Sequence, residues 1–291
     1  MRGLLAIVMA TGLFSACSSS PEPAATNATP GSPASIEIPH APDQPVSDRE
    51  KLTDAATIDL DAITERGYLR ILVAPSRTHF ETVDGRHRGR AVDAGVALAR
   101  AVGEQAAKDV KAVFILTRDD RLVPDLLAGK GDVAANLLLT FTRDEQVAFA
   151  PPIRTGIREL VVTDVGSPLV SLEDVGGRTI HVRKNSDHHA SLIRLNEQLK
   201  KINRPPATIV ADDKTKTDED LLDGVNAGRI RAAVVDDYIF DLWKKDFPKV
   251  ASTNRDVAVS QDGVLAWATR KDAPALTSVL KDFFSTHKLT F

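Results

Sequence analysis

Apolar residues along this chain alternate between two spacings. Tyr68 to Ala74 (YLRILVA) is a nearly continuous apolar run stopped by Pro75, the pattern of a buried strand. Ala91 to Gly103 then places apolar residues at 94, 98, 101 and 102, a helical spacing, with Asp93 as a cap for its start. Lys111 to Thr117 (KAVFILT) predicts the next strand, and Asp119 to Ala128 sets Leu122, Val123, Leu126 and Leu127 on one helical face. A small-residue strand follows over Asp132 to Asn136. Strand, helix, strand, helix, strand in that order predicts a parallel α/β sheet. A short helix, Ile58 to Arg66, precedes the first strand and is closed by Gly67.

The second half repeats the alternation. Arg158 to Asp164 (RELVVTD) reads as a crossover into a second lobe, and Leu172 to Gly177 leads to a strand at Thr179 to Val182. Ser186 and Asp187 precede a helix through Leu192, Leu195 and Leu199, where they serve as caps and where free backbone N–H groups can hold an anion. After a strand at Thr208 to Ala211, Thr217-Asp-Glu-Asp220 fits a capping box before Leu221, Leu222 and Val225, in a helix that Gly228 ends. Ala232 to Asp236 is a buried strand ending in a carboxylate, and Asp237 caps a helix through Ile239 and Leu242. Val257 to Thr269 is the return crossover, and a last helix from Asp272 and Pro274 packs back on the first lobe.

The N-terminal 57 residues follow neither period. Met1 to Ala16 has a basic start, an apolar run and small residues, the form of a secretory signal peptide. Cys17 follows at once, and FSAC resembles a bacterial lipobox, which would leave Cys17 lipid-modified; the alternative is an ordinary signal peptide with a stray cysteine. Residues 17–57 are rich in Pro, Ala, Ser and Thr, with prolines at 21, 23, 30, 33, 39, 42 and 45, and read as a disordered tether to the folded body. The expected division is a signal peptide at 1–16, a linker at 17–57, a first lobe at 58–158 and 258–291, and a second lobe at 159–257.

Charge and cysteine count narrow the chemistry. A formal net charge of -3 with near-even acids and bases gives no basic surface for nucleic acid. One cysteine excludes an internal disulfide and cysteine-based metal sites. There is no G-x-S-x-G elbow, H-E-x-x-H, P-loop or cysteine nucleophile setting. Gly129 to Ala134 fits G-x-G-x-x-A, but it follows a helix and precedes a strand, so it is a turn. His188 and His189 lack a partner at metal-binding spacing and read as surface histidines. No enzyme activity, cofactor or metal is expected.

One stretch carries a binding signal. Gly131 to Pro152 (GDVAANLLLTFTRDEQVAFAPP) is a short strand that delivers Thr140, Thr142 and Arg143 to its carboxyl end, an arrangement suited to a ligand carboxylate. Phe80, in the turn after the first strand, either stacks over a ligand or packs beneath its own loop.

NLLLTFTR resembles the N-L-T-I-T-P-E-R signature of the periplasmic solute-binding proteins of family 3, the polar amino-acid-binding type. Thr140 and Arg143 fall on matching positions, Phe149 matches a phenylalanine that ends the motif, and Leu138 and Phe141-Thr142 depart from it. Similarity extends from about Ile63 to Phe284. It is closer to the solute-binding module of membrane-bound lytic transglycosylase F relatives, through IHVRKNSDHHASLIRLNEQL, AAVVDDYIFDLW and LAWATRKDAPAL. In those proteins a catalytic domain follows a segment like KDFFSTHKLTF, where this sequence stops, so peptidoglycan cleavage is not expected of it. The resemblance implies a two-lobed, type II periplasmic-binding-protein fold with two hinge crossovers. It also implies a clamp by Arg143 on a ligand carboxylate, aided by Thr140, and a pairing of Asp236 with a ligand ammonium. Arg183 and Ser186 would close the site from the second lobe. The implied protein is a monomer in the periplasm or cell envelope, lipid-anchored to a membrane, that binds an amino acid or short peptide. An ABC permease or a lytic transglycosylase is its implied partner.

Overall fold

The computed structural model describes residues 36–45, 55–139, 141–213, 216–253 and 257–289. The signal peptide, Cys17 and Thr140 lie outside the described residues. Short strands β1 (Ile36–Glu37) and β2 (Gln44–Pro45) come first. Lobe 1 contains α1 (Leu60–Arg66), β3 (Tyr68–Val73), a hairpin of β4 (Glu81–Val83) and β5 (Arg86–Arg88), α2 (Arg90–Gln105) and β6 (Lys111–Leu116). It continues through α3 (Leu122–Leu127), β7 (Val133–Leu138), α4 (Phe141–Gln146) and β8 (Val147–Phe149). The first crossover, β9 (Arg154–Asp164), leads to β10 (Thr179–Arg183), α5 (Asp187–Lys201), β11 (Thr208–Asp212) and α6 (Asp218–Asn226) of lobe 2. Then follow β12 (Ala232–Asp236), α7 (Asp237–Trp243) and β13 (Val250–Ser252). The second crossover, β14 (Ala258–Arg270), returns the chain to lobe 1, which α8 (Pro274–Thr286) and β15 (His287–Lys288) complete.

Among the described residues the main sheet runs β11-β10-β12-β9-β14-β7-β3-β6, with β13 beside β9 and β8 beside β14. Strands β6, β3 and β7 are parallel in lobe 1, as are β11, β10 and β12 in lobe 2. Each set is bordered by an antiparallel crossover strand, and the two crossovers pair with each other. Their register slips between Ala258 and Ser260, Ser260 and Gly263, and Gly263 and Leu265. Such bulges locally disrupt the ladder between the two crossovers.

Strand alternation divides the cores. In β3, Leu69, Ile71 and Val73 enter one cluster with Leu98, Trp267 and Leu280, whereas Leu72 faces Leu122, Leu126 and Ala134 on the other side. In lobe 2, Val162 and Val235 join Leu222 and Tyr238, while Val161 and Val234 join Ile180 and Leu192. Parallel strands buried on both faces explain the unbroken apolar runs in the sequence.

The local signals act through identifiable bonds. Gly67 takes φ 76° and its N–H reaches Ile63 O, closing α1 where a side chain would strain the backbone. Thr217 and Asp220 form the reciprocal capping box at α6. Asp93 does not cap α2, which starts at Gly89; its carboxylate instead receives Ala41 N at 2.8 Å and faces His40. A Cβ on Gly89 would come within 2.5 Å of His79 O, so the glycine lets α2 start against the turn at 76–80.

Residues 36–45 differ from the expected free tether. β1 pairs in parallel with β15, β2 pairs with β5, and Ile38 is only 1% exposed. Ile38 is an apolar residue within a proline-rich stretch, and its burial in the lobe 1 core offsets part of the ordering cost of this segment.

Candidate functional site

A cavity of about 90 Å³ lies between the lobes, where β3, β7, β10 and β12 end and α5 and α6 begin. Carboxyl ends of parallel strands and amino ends of helices converge there, which is where open α/β sheets hold ligands. At 10–15 Å³ for each water centre, the cavity has room for about six to nine waters, or one small organic molecule.

From lobe 1, Arg143 projects from α4, a helix the sequence does not announce. Its Nη1 donates to Leu138 O at 2.8 Å and to Asp187 Oδ2, across the cleft, at 3.0 Å. Asp187 is the first residue of α5, so this pair links the two lobes. Ser186 caps α5 by accepting from His189 N, and its hydroxyl donates to Arg183 O at 2.7 Å.

Arg183 and His188 organise the lobe 2 wall. Arg183 pairs with Asp119 of lobe 1 and lies 2.9 Å, through Nε, from Asp218 Oδ1. Burial would lower its pKa, but Asp119, Asp218 and Asp236 together raise it. His188 is 1% exposed and its Nε2 lies 2.9 Å from Asp236 Oδ1, with Asp218 Oδ1 3.8 Å from Nδ1. Burial alone would favour neutral imidazole; Asp218 and Asp236 overcome it and raise the pKa to about 10. His188 is therefore an imidazolium that donates to Asp236. This corrects its assignment to the surface: the helix face carrying it turns inward, and its carboxylate partners arrive from distant parts of the sequence.

His188, Asp218 and Asp236 bring three potential ligand atoms within 4.8 Å of one another, a grouping that could hold a metal. A metal requires neutral imidazole, so it would compete with a proton held far above neutral pH and with the Arg183 guanidinium beside Asp218. The residues fit a charge-balanced network better than a metal centre.

A further set of bonds joins the turn after β3 to lobe 2. Glu219 Oε1 accepts from Ser76 Oγ at 3.1 Å, Thr78 N at 2.9 Å and Thr78 Oγ1 at 2.7 Å. Trp243 Nε1 donates to Thr78 Oγ1 at 2.9 Å, and Arg77 pairs with Asp220 at 2.7 Å. His79 Nε2 meets Tyr238 Oη at 2.8 Å; burial lowers the His79 pKa to about 4, against the pull of Asp236. The His79 ring is neutral at pH 7.

Arg143, Arg183, Ser186 and Asp236 all line the cavity. Phe80 does not. It is 2% exposed and packs at 4.8 Å from His87 and 5.7 Å from Phe114, beneath its own loop. Ser76 and Phe80 exchange backbone bonds across that turn, which directs the ring into the lobe 1 core. Asp119, Asp218, Glu219 and His188 are site residues that the sequence reading missed. Asp218 and Glu219 are hidden inside a capping-box motif, whose helix start also forms the cavity wall.

Residues 69–289 match the family model of bacterial extracellular solute-binding proteins, family 3. Among curated relatives, the membrane-bound lytic murein transglycosylase F of Saccharophagus degradans is 28% identical over 158 residues, 54% of this chain and 30% of that protein. Its counterpart from Maricaulis maris is 28% identical over 214 residues, 72% of this chain and 43% of that one. The chain thus spans less than half the length of these relatives. Among solved structures, the arginine-bound form of truncated ArgBP from T. maritima aligns with TM-score 0.60 and 23% identity, covering 77% of this chain and 98% of that one. An amino acid ABC transporter substrate-binding protein from Streptococcus pneumoniae, bound to L-arginine, aligns with TM-score 0.60 and 18% identity, covering 77% and 90%. These structures share the type II fold of two α/β lobes joined by two crossovers.

Proposed function

Since the chain belongs to family 3 of the bacterial extracellular solute-binding proteins, we propose that it captures a small zwitterionic solute, an amino acid or short peptide, between its lobes. The observation that carries this reading is the Arg143–Asp187 pair across the cavity. A partly exposed ion pair contributes only about 0–1 kcal/mol. A ligand carboxylate with two oxygens can make two charge-assisted bonds to the same guanidinium, each of about 1.5–3 kcal/mol, and so displace Asp187. Asp236 supports the opposite end: it accepts a ligand ammonium while His188 balances its remaining charge. Arg183 and Ser186 form the lobe 2 wall, and Thr140 assists Arg143. Bonds from Ser76 and Thr78 to Glu219 hold the lobes together around the solute.

In this reading the protein is a monomeric, non-catalytic binding protein of the cell envelope, held to a membrane through Cys17 and delivering its solute to an ABC permease. A second reading is supported by the likeness to transglycosylase F over 72% of the chain. There the cleft reads cell-wall peptides, and the protein acts as a sensor beside a separately encoded lytic transglycosylase. A thermal-shift screen of the full chain against free amino acids and muropeptide fragments separates the two. Ligands that bind only the native state raise its Tm. A response to amino acids supports uptake, a response to muropeptides alone supports the sensor, and no response to either contradicts both.

A further inference from the structure

The segment 36–45 is fixed to lobe 1 at three places. Ile38 N donates to Lys288 O at 3.0 Å, and the Ile38 side chain is buried in the lobe 1 core. Ala41 N donates to Asp93 Oδ1 at 2.8 Å, and Gln44 and Pro45 pair with β5. The segment shares a groove of about 550 Å³ with Leu242 and Trp243 of lobe 2, so it lies at the lobe boundary.

Asp93 is where this segment meets the cleft. Its buried carboxylate faces His40 and Arg90 besides accepting from Ala41. It sits in the first turn of α2, a helix that starts at Gly89 with no side-chain cap. The first N–H groups of α2, those of Arg90 and Ala91, donate instead to Thr78 O at 3.0 Å and His79 O at 2.8 Å. Helix start and turn thus satisfy each other, and their close approach at Gly89 leaves no slack between them. From the same turn Thr78 bonds Glu219 and Trp243, and His79 bonds Tyr238, all three in lobe 2. A continuous run of bonds therefore leads from Ala41 through Asp93, the start of α2 and residues 78–79 to the opposite lobe.

We propose that residues 36–45 form a strap whose docking holds the turn at 76–80 in place against lobe 2, so that lifting the strap loosens the closed cleft. Without the strap, Asp93 keeps only Arg90 of these partners. A buried carboxylate that has lost its backbone donor is unfavourable until it turns toward water. The first turn of α2 moves with it, and the carbonyls of Thr78 and His79 follow that turn. The coupling is reciprocal: whatever strap docking contributes to lobe closure, closure contributes to strap docking. It does not depend on which solute the cleft holds.

The test is amide hydrogen exchange of the full chain, followed by NMR with no ligand added, so its result is independent of the binding reading. Ile38→Asp places a charge on the strap's core anchor. Ala41→Pro removes only the N–H that reaches Asp93, in a segment that already carries prolines at 39 and 42. Each is expected to speed exchange by about tenfold or more at Thr78, whose N–H crosses to Glu219, and at Arg90 and Ala91, with the amides of β12 unchanged within about twofold. Ala41→Pro decides alone if Ile38→Asp does not fold. Val175→Ala, a cavity in the lobe 2 core, lowers Tm and is expected to leave Thr78 exchange within about twofold of wild type. In the reverse direction, Trp243→Phe removes the donor to Thr78 and is expected to speed exchange at Ala41 by about threefold or more. Unchanged exchange at Thr78 in the strap variants, an equal acceleration in Val175→Ala, or unchanged exchange at Ala41 in Trp243→Phe overturns the proposal.

Discussion

The two walls of the cleft are built differently. Lobe 1 presents a short turn of hydroxyl and backbone donors, Ser76 to Thr78, together with Arg143 on the six-residue helix α4. Lobe 2 presents Arg183, His188, Asp218 and Asp236, whose charges balance one another within the wall, with Asp119 of lobe 1 as a further partner of Arg183. Lobe 2 is therefore wired before anything binds, whereas the lobe 1 groups spend their bonds on the opposite lobe. The difference teaches that preorganisation and capture can be divided between lobes: one holds fixed charges at low reorganisation cost, the other trades an interlobe contact for a ligand contact.

The strongest way to break this comparison is to remove a carboxylate from the lobe 2 wall. Asp218→Ala leaves Arg183 and His188 each short of one counter-charge, with Asp119 and Asp236 remaining. Breaking a buried ionic network in this way costs about 3 kcal/mol, or roughly 6–12 °C in Tm for a domain of this size. A change below about 2 °C would show that the wall is not wired as described.

A second way to break the comparison is through pH. The folded-state pKa of His188 is raised from 6.5 to about 10, so its contribution to stability is fully present below about pH 6.5 and is lost as pH rises through about 10. His79, lowered to about 4, behaves oppositely: its contribution is present above about 6.5 and is lost as pH falls through about 4. Thermal melts at several pH values should show the gap between wild type and His188→Gln narrowing from pH 6.5 to 10. A constant gap would contradict the imidazolium. The smallest effect is expected on the lobe 1 side. Thr78→Val removes a bond to Glu219 and an acceptor for Trp243, costing about 1–2 kcal/mol. Its expected signature is faster ligand release in stopped-flow measurements with little change in fold. An unaltered release rate would mean that these bonds do not latch the lobes.

Much of this architecture was legible in the sequence, and the misses share a physical cause. Ala232–Asp236 was read to the residue, because a fully apolar strand ending in aspartate has few alternatives. The caps at Ser186 and Thr217 and the stop at Gly67 were legible because their bonds are local. His188 was not, since its partner Asp236 lies 48 positions away and a lone helix histidine carries no mark of burial. The hairpin of β4 and β5 passed unread although Asp84-Gly85, with φ of 50° and 71°, is a strong turn signal; its three-residue strands are too short to show alternation. Ile38 was lost within a proline-rich composition that describes the segment as a whole and not one side chain. Arg143 is marked both by its own stretch and by the resemblance, Asp236 as a ligand residue by the resemblance alone, and both line one cavity.

The most direct test of the central claim is a titration of the full chain, wild type and Arg143→Ala, with whichever amino acid gives the largest thermal shift. The account predicts an affinity loss of at least 100-fold, about 2.7 kcal/mol, with Tm in the absence of ligand lowered by no more than about 3 °C, because the Asp187 pair is weak. Unchanged affinity in Arg143→Ala would contradict the account at its base.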